Sequence, residues 1–300
     1  METIVYNVAC NIFSVSADEK LLRLLTNYEP FVVKGTAGTS AGASAGALGE
    51  KPAFALQVVS EGVTPEYAEE TRQQDEGQEI VCGHTPAGDS VFDFFLGKSR
   101  SGVLVCSDGY RRGKLYLSGH ADKFAIDNSL MVMYALATAG SGTALFHSAI
   151  VSQGGRGYMF LGKSGTGKST HARLWLRHVE GAELVNDDNP VVRLQPDGAW
   201  VYGSPWSGKT PCYRNVAVPL GGIVLLSQAP YNKIVRLGGV QAYAALVPSI
   251  SGKRWDRAVA DGLHATENAL AMGVKVWHLE CLPDEEAARL CFETVKGESK

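Results

Sequence analysis

The chain has 300 residues, 45% hydrophobic and 20% charged, with a formal net charge of −3. That balance supports a globular protein with a sizeable core and gives no electrostatic reason to expect nucleic acid or an anionic membrane surface as partner. No uninterrupted apolar run approaches bilayer length, and Glu2 stands where a secretory leader would be basic, so the expected compartment is the cytoplasm.

Residues 2–15 carry a β pattern, with Ile4, Tyr6, Val8 and Cys10 on one side followed by Ile12 and Phe13. Residues 18–27 predict a short amphipathic helix capped by Ser16 or Asp18. Residues 34–49 are nearly all Gly, Ala, Ser and Thr, which predicts a flexible surface loop; no Lys-Ser or Lys-Thr end makes it a phosphate cradle. Short strands are predicted at 54–59, 79–82, 90–96, 102–106 and 114–117, with Asp108-Gly109 as a hairpin turn. Residues 1–121 therefore form a β-rich N-terminal region, expected to serve as a lid, a substrate-shaping subdomain or an oligomer contact. Residues 122–300 form a second domain. It opens with a helix at 122–139 and a strand at 143–153 that carries His147.

Next stands the most informative stretch, 158–170. An apolar strand runs into Gly162-Lys163-Ser164-Gly165-Thr166-Gly167-Lys168-Ser169-Thr170, which fits G-x-x-x-x-G-K-[ST]. Glycines let backbone N–H groups turn toward one centre, and a helix opening at Lys168 adds its positive dipole end there. Lys168 is placed to reach the β- and γ-phosphates of a nucleotide, and Ser169 to hold a divalent ion. Ala172, Trp175, Leu176 and Val179 then recur at helical spacing, and an apolar run from Glu183 ends in Asp187-Asp188. An ordinary glycine-rich turn would explain neither Lys168 nor the acids. For the acids themselves the alternative is an Asx-type turn after a strand, and for His147 a satisfied strand histidine.

Residues 191–194 and 199–202 flank Pro196-Asp197-Gly198 as a hairpin; strands are predicted at 223–226, 233–237 and 274–279, and helices at 240–246, 255–272 and after Pro283. The glycine- and proline-punctuated loop 202–215 offers Trp206, Lys209 and Arg214 as a wall for an acceptor's phosphate or carboxylate, the alternative being a surface hairpin with solvated charges. Lys253, Arg254 and Arg257 read as a solvated basic face. Cys10, Cys82, Cys106, Cys212, Cys281 and Cys291 show no ligand spacing and read as small core hydrophobes.

From about residue 125 to 235 the chain resembles the catalytic domain of the HPr kinase/phosphorylase family. His147-Ser-Ala-Ile-Val, Gly162 to Ser169 and Leu184-Val-Asn-Asp187-Asp188 carry the likeness, and residues 160–170 also look like ATP-dependent phosphoenolpyruvate carboxykinase. The resemblance implies an α/β fold with a P-loop kinase core and a β-rich N-terminal region. It implies an ATP- and Mg²⁺-dependent kinase acting on a hydroxyl of a small molecule or a protein serine. His147 would lie near the transferred phosphate, Lys168 and Ser169 would hold nucleotide and metal, and Asp187 and Asp188 would divide metal binding from proton transfer. A nucleotide-binding regulator and a carboxykinase-like lyase are the rival readings. Thr170 stands where the HPr enzymes carry an acid, and their glycine- and arginine-rich substrate segment is not evident after residue 235, so the expected acceptor is a small molecule rather than the HPr protein.

Overall fold

The computed structural model describes residues 1–34, 52–60, 62–75, 77–208 and 210–297. It shows a mixed α/β protein with two mixed β-sheets, in two compact units, Met1–Thr138 and Ala139–Lys300. Apart from Lys34, the glycine-rich loop predicted at 34–49 lies outside the described residues. No helix among the described residues is long and apolar enough to cross a membrane.

In the first unit, β1 (Glu2–Val8) and β2 (Asn11–Ala17) form an antiparallel hairpin. Its turn residues Ala9 and Cys10 have φ of 50° and 60°. Neither is a Gly or Asn, which is why the sequence showed one continuous β run. The predicted helix at 18–27 is only α1 (Glu19–Leu22), followed by a 3-10 turn over Thr26–Phe31. The tightening starts where Leu24 and Leu25 donate to carbonyls three residues back, those of Leu21 and Leu22.

Strands β3 (Phe54–Val59), β4 (Ala68–Asp75), β5 (Gln78–His84), β6 (Ser90–Leu96), β7 (Ser99–Ser107) and β8 (Arg112–Leu117) complete an eight-stranded sheet in the order β1-β2-β3-β8-β7-β6-β5-β4. Asp108 and Gly109, both at positive φ, turn the β7–β8 hairpin as expected. Strand β4 escaped prediction because it is an exposed edge strand of almost wholly polar sequence. Helix α2 (Asp122–Ala137) packs on β3, β7 and β8. The fit is close: a β-carbon on Gly113 would lie 2.3 Å from Met133 Sδ. The helix therefore belongs to the first compact unit, which ends at Thr138.

The second unit is built from β9 (Thr143–Leu145), β10 (Ala149–Gln153), β11 (Arg156–Leu161), α3 (Lys168–His178), β12 (Glu183–Asn186), β13 (Val191–Gln195), β14 (Gly198–Tyr202), β15 (Ala217–Gln228), β16 (Lys233–Leu237), α4 (Gly239–Leu246), α5 (Arg257–Gly273), β17 (Val276–Cys281) and α6 (Glu285–Gly297). Its sheet has nine strands, with the path β12-β10-β11-β15-β14-β13-β9 and the pair β17–β16 attached through β15. The long strand β15 changes neighbours along its length. Ala217–Pro219 pair with β14, and Ile223–Leu225 lie between β11 and β17, both parallel to it. Gly222 permits this, since a β-carbon there would sit 2.5 Å from Cζ3 of the buried Trp277. Tyr158, Phe160, Trp175, Trp277, Leu279 and Cys291 fill the core between the sheet, α3 and α6.

The predicted strand at 143–153 is two strands, β9 and β10, broken at Phe146–Ser148. Among the described residues no disulfide forms; Cys82, Cys106, Cys212 and Cys291 are buried as expected, whereas Cys10 is exposed.

Candidate active site

The sheet of the second unit gathers the sequence-predicted residues at one edge. Strand β10 pairs antiparallel with both β11 and β12, so β11 and β12 run parallel with β10 between them. Strands β15 and β17 run parallel to β11. The carboxyl ends of β11, β12, β15 and β17 and the start of β10 therefore share an edge. This is where open α/β sheets bind ligands.

From the end of β11 the glycine loop enters α3. Gly162 has φ 154°, and a β-carbon on it would lie 3.1 Å from the Thr166 side chain and 3.3 Å from the Leu226 carbonyl. Gly167, at φ 108°, occupies the N-cap position of α3, and no side chain caps the helix. The first-turn N–H groups are thus left to another acceptor. Lys168 is buried and folds back to donate to the Gly162 carbonyl at 3.0 Å. Burial lowers its pKa, while the charges of Asp188 and Asp187 work in the opposite direction. Both acids are thereby within electrostatic reach of the loop lysine. Ser169 and Thr166 are half-buried; Lys163, Ser164, Gly165 and Thr170 are exposed.

At the end of β12 an Asx turn is present, but Asn186 makes it. The Asn186 Oδ1 accepts from the backbone N–H groups of Asp188 and Asn189, both at 2.9 Å, and its Nδ2 donates to Ser204 Oγ and the Trp206 carbonyl. The turn consumes no carboxylate oxygen of the acid pair. Asp188 Oδ1 lies 2.9 Å from His147 Nδ1, and its Oδ2 accepts from Asn189 at 2.7 Å. Asp187 is 6% exposed, and its Oδ2 is buried without a hydrogen-bond partner among the described residues. Gly208 lies against the pair, where a β-carbon would come within 3.1 Å of Asp188 Cβ.

His147 sits in the break between β9 and β10. Its N–H donates to the Ser249 carbonyl at 2.7 Å, while Phe146 and Ser148 donate to the carbonyls of Pro190 and Asp188. The side chain is 46% exposed, so one ring nitrogen faces Asp188 and the ring stays accessible from outside.

Arg214 does not join this site. It donates to Glu183 Oε2 at 2.9 Å and to the Leu184 carbonyl at 2.7 Å, at the opposite end of β12. At a rise of about 3.3 Å per residue, Glu183 is roughly 13 Å from Asp187 along the strand. Lys209 lies outside the described residues. Trp206 is buried rather than a binding wall, and Lys253 and Arg254 are not a solvated face: Lys253 is 8% exposed and Arg254 pairs with the buried Glu267.

Two grooves flank the loop, each of a size that suits a small ligand. One, about 540 Å³, lies between Gly162–Thr166 and Leu225–Gln228 with His278. The other, about 730 Å³, runs past Thr170 and Leu174 to Pro230, Leu282 and Pro283. Ser227, Gln228 and His278 were not foreseen as lining. They come from strands whose ends reach this edge only through the sheet order. Ser227 Oγ and His278 Nε2 are 2.8 Å apart, and Gln228 donates to the Gly165 carbonyl at 3.3 Å.

No protein-family model matches the chain, and no curated protein matches it either.

Proposed function

We propose that the second unit is a P-loop kinase core of the HPr kinase/carboxykinase type, binding ATP with Mg²⁺ and transferring the γ-phosphoryl group to a hydroxyl of a small molecule or a protein serine. The observation that carries this reading is the convergence of the loop lysine and the acid pair. The buried Lys168, at the start of a helix that follows the glycine loop at the end of β11, and Asp187 and Asp188, just past the end of the parallel strand β12, lie at the same edge of the sheet. A structural turn has no need of a buried cation at the edge where two carboxylates end the neighbouring parallel strand.

We further propose a division of labour between the two acids. Asp187, with an unpartnered buried oxygen, suits a metal, with the Ser169 hydroxyl as the second protein ligand. Among the described residues no group of three or more His, Cys, Asp or Glu could hold a metal ion. That fits Mg²⁺, which uses one or two carboxylates together with substrate phosphates. When bound, the ion would neutralise and orient phosphate charge. Asp188 Oδ1 faces His147 Nδ1 at 2.9 Å, and the Asp188–His147 pair takes the proton of the acceptor hydroxyl. Lys168 and the open N–H groups of the loop and α3 bind the β- and γ-phosphates.

The test is incubation with γ-labelled ATP and Mg²⁺ against a panel of hydroxylated metabolites and a serine-bearing protein, with products identified by mass. Label should appear on one acceptor, and Asp188→Asn should slow its appearance by about 10²- to 10⁴-fold. Release of label as free phosphate alone, whatever the panel, would contradict transfer and favour a slow hydrolase.

A further inference from the structure

The second unit also buries a charge for which phosphoryl transfer has no direct use. Glu267, on α5, is fully buried. Arg254 Nη1 lies 2.6 Å from its Oε1, off the line of a straight hydrogen bond, so that oxygen is held by charge. Tyr243 on α4 donates to Oε2 at 2.9 Å. The tyrosine oxygen in turn lies 2.8 Å from His264 Nδ1, and Asn268 Nδ2 is 2.9 Å from His264 Nε2. One set of donors satisfies the whole chain: Asn268 to His264, His264 to Tyr243, Tyr243 to Glu267.

The second limb of the Arg254 fork points elsewhere. Nη2 donates to the carbonyls of Val247 and Ile250, at 3.2 and 3.4 Å, clamping the short turn between them. That turn carries Ser249, whose carbonyl accepts from the His147 N–H at 2.7 Å. Ile250 bridges to Phe146, and Ser251 donates to the Leu145 carbonyl at 2.9 Å. Residues 145–147 thus lie between two antiparallel neighbours, 188–190 on the acid side and 249–251 on the other. The acid side fixes Asp188 and the opposite side fixes the histidine.

A buried ion pair is a poor device for stability alone, since desolvation offsets most of its attraction; its best-attested use is to hold a register. We propose that Glu267, Arg254 and Tyr243 are positioning residues that hold the Val247–Ser251 strap against His147 and so set its imidazole on Asp188. Only the catalytic consequence rests on the phosphoryl-transfer reading; the positioning itself does not.

The experiment is residue-resolved amide exchange by NMR on the full chain without nucleotide, paired with ATP turnover. Arg254→Lys keeps a cation for Glu267, but a single ammonium cannot also fork onto two carbonyls. The amides of His147 and Ser251 should then exchange about tenfold faster, while those of Phe146 and Ser148, bonded on the acid side, keep their wild-type rates. Tyr243→Phe, a milder change that serves if the lysine variant does not fold, should give the same selective pattern at smaller size. In both, kcat should fall in the same order with the KM for ATP unchanged. Uniform acceleration of all four amides, no acceleration, or selective acceleration with unchanged kcat would overturn the proposal. A wild-type chain that turns over no ATP would count against phosphoryl transfer alone, and the exchange pattern would still judge the positioning.

Discussion

Asp187 and Asp188 are neighbours in sequence yet meet different surroundings, because Asn186 takes over the turn that would otherwise occupy one of them. The two acids should therefore fail differently. Asp188→Asn removes the partner of His147 and should lower kcat by about 10²- to 10⁴-fold, the usual scale of general-base loss, with ATP affinity retained. Asp187→Asn should instead raise the Mg²⁺ concentration needed for half-maximal activity. Titrating both variants with Mg²⁺ and the acceptor separates the roles; two variants with the same profile would contradict the division. His171, one turn into α3, gives a second test at this scale. Its ring accepts from Trp175 Nε1 at 3.2 Å and stands edge-on to Phe160, and burial pushes its pKa down to about 4. The folded chain therefore holds the neutral ring. Its stabilisation is complete above the unfolded value near 6.5 and is lost as pH falls toward 4. That loss is about 3 kcal/mol across the window. Urea unfolding at pH 7 and pH 4.5 should show His171→Gln losing less stability on acidification than the wild type, by about 2–3 kcal/mol. Equal losses would mean that the ring is not held neutral.

At the scale of elements, strand order decides what sequence proximity cannot. Arg214 is close in sequence to the acid-bearing strand, but its guanidinium pairs with Glu183 at the far end of β12. Arg214→Ala should leave kcat and KM near wild type and cost about 1 kcal/mol or less, as exposed pairs do. A large rise in acceptor KM would return it to the site. The glycine-loop segment was legible almost residue by residue: the strand before it, the helix opening at Lys168 and the strand ending at Asn186 all follow from periodicity and glycine spacing. The break around His147 was not legible. Phe146–Ser148 look like strand, and what interrupts them is pairing to carbonyls of Asp188, Pro190 and Ser249, all distant in sequence. Leu176 shows the same limit. It fits the helical spacing of the apolar face, yet it is 38% exposed because that face is already filled by Ala172 and Trp175.

For the whole molecule, every residue assigned to the candidate site and to the positioning chain lies in the second unit, which has its own hydrophobic core. Residues 139–300 produced alone should therefore fold and bind ATP with Mg²⁺, as an autonomous domain would. A fragment that unfolds cooperatively but binds no nucleotide would show that the first unit supplies part of the site. The measurement that bears most directly on the central claim is the affinity for ATP·Mg²⁺ of the wild type and of a folded Lys168→Ala variant, by calorimetry. Removing a charge-assisted contact worth about 1.5–3 kcal/mol should weaken binding by roughly tenfold to a hundredfold or more. Equal affinities in the two proteins, or no binding by the wild type, would contradict it.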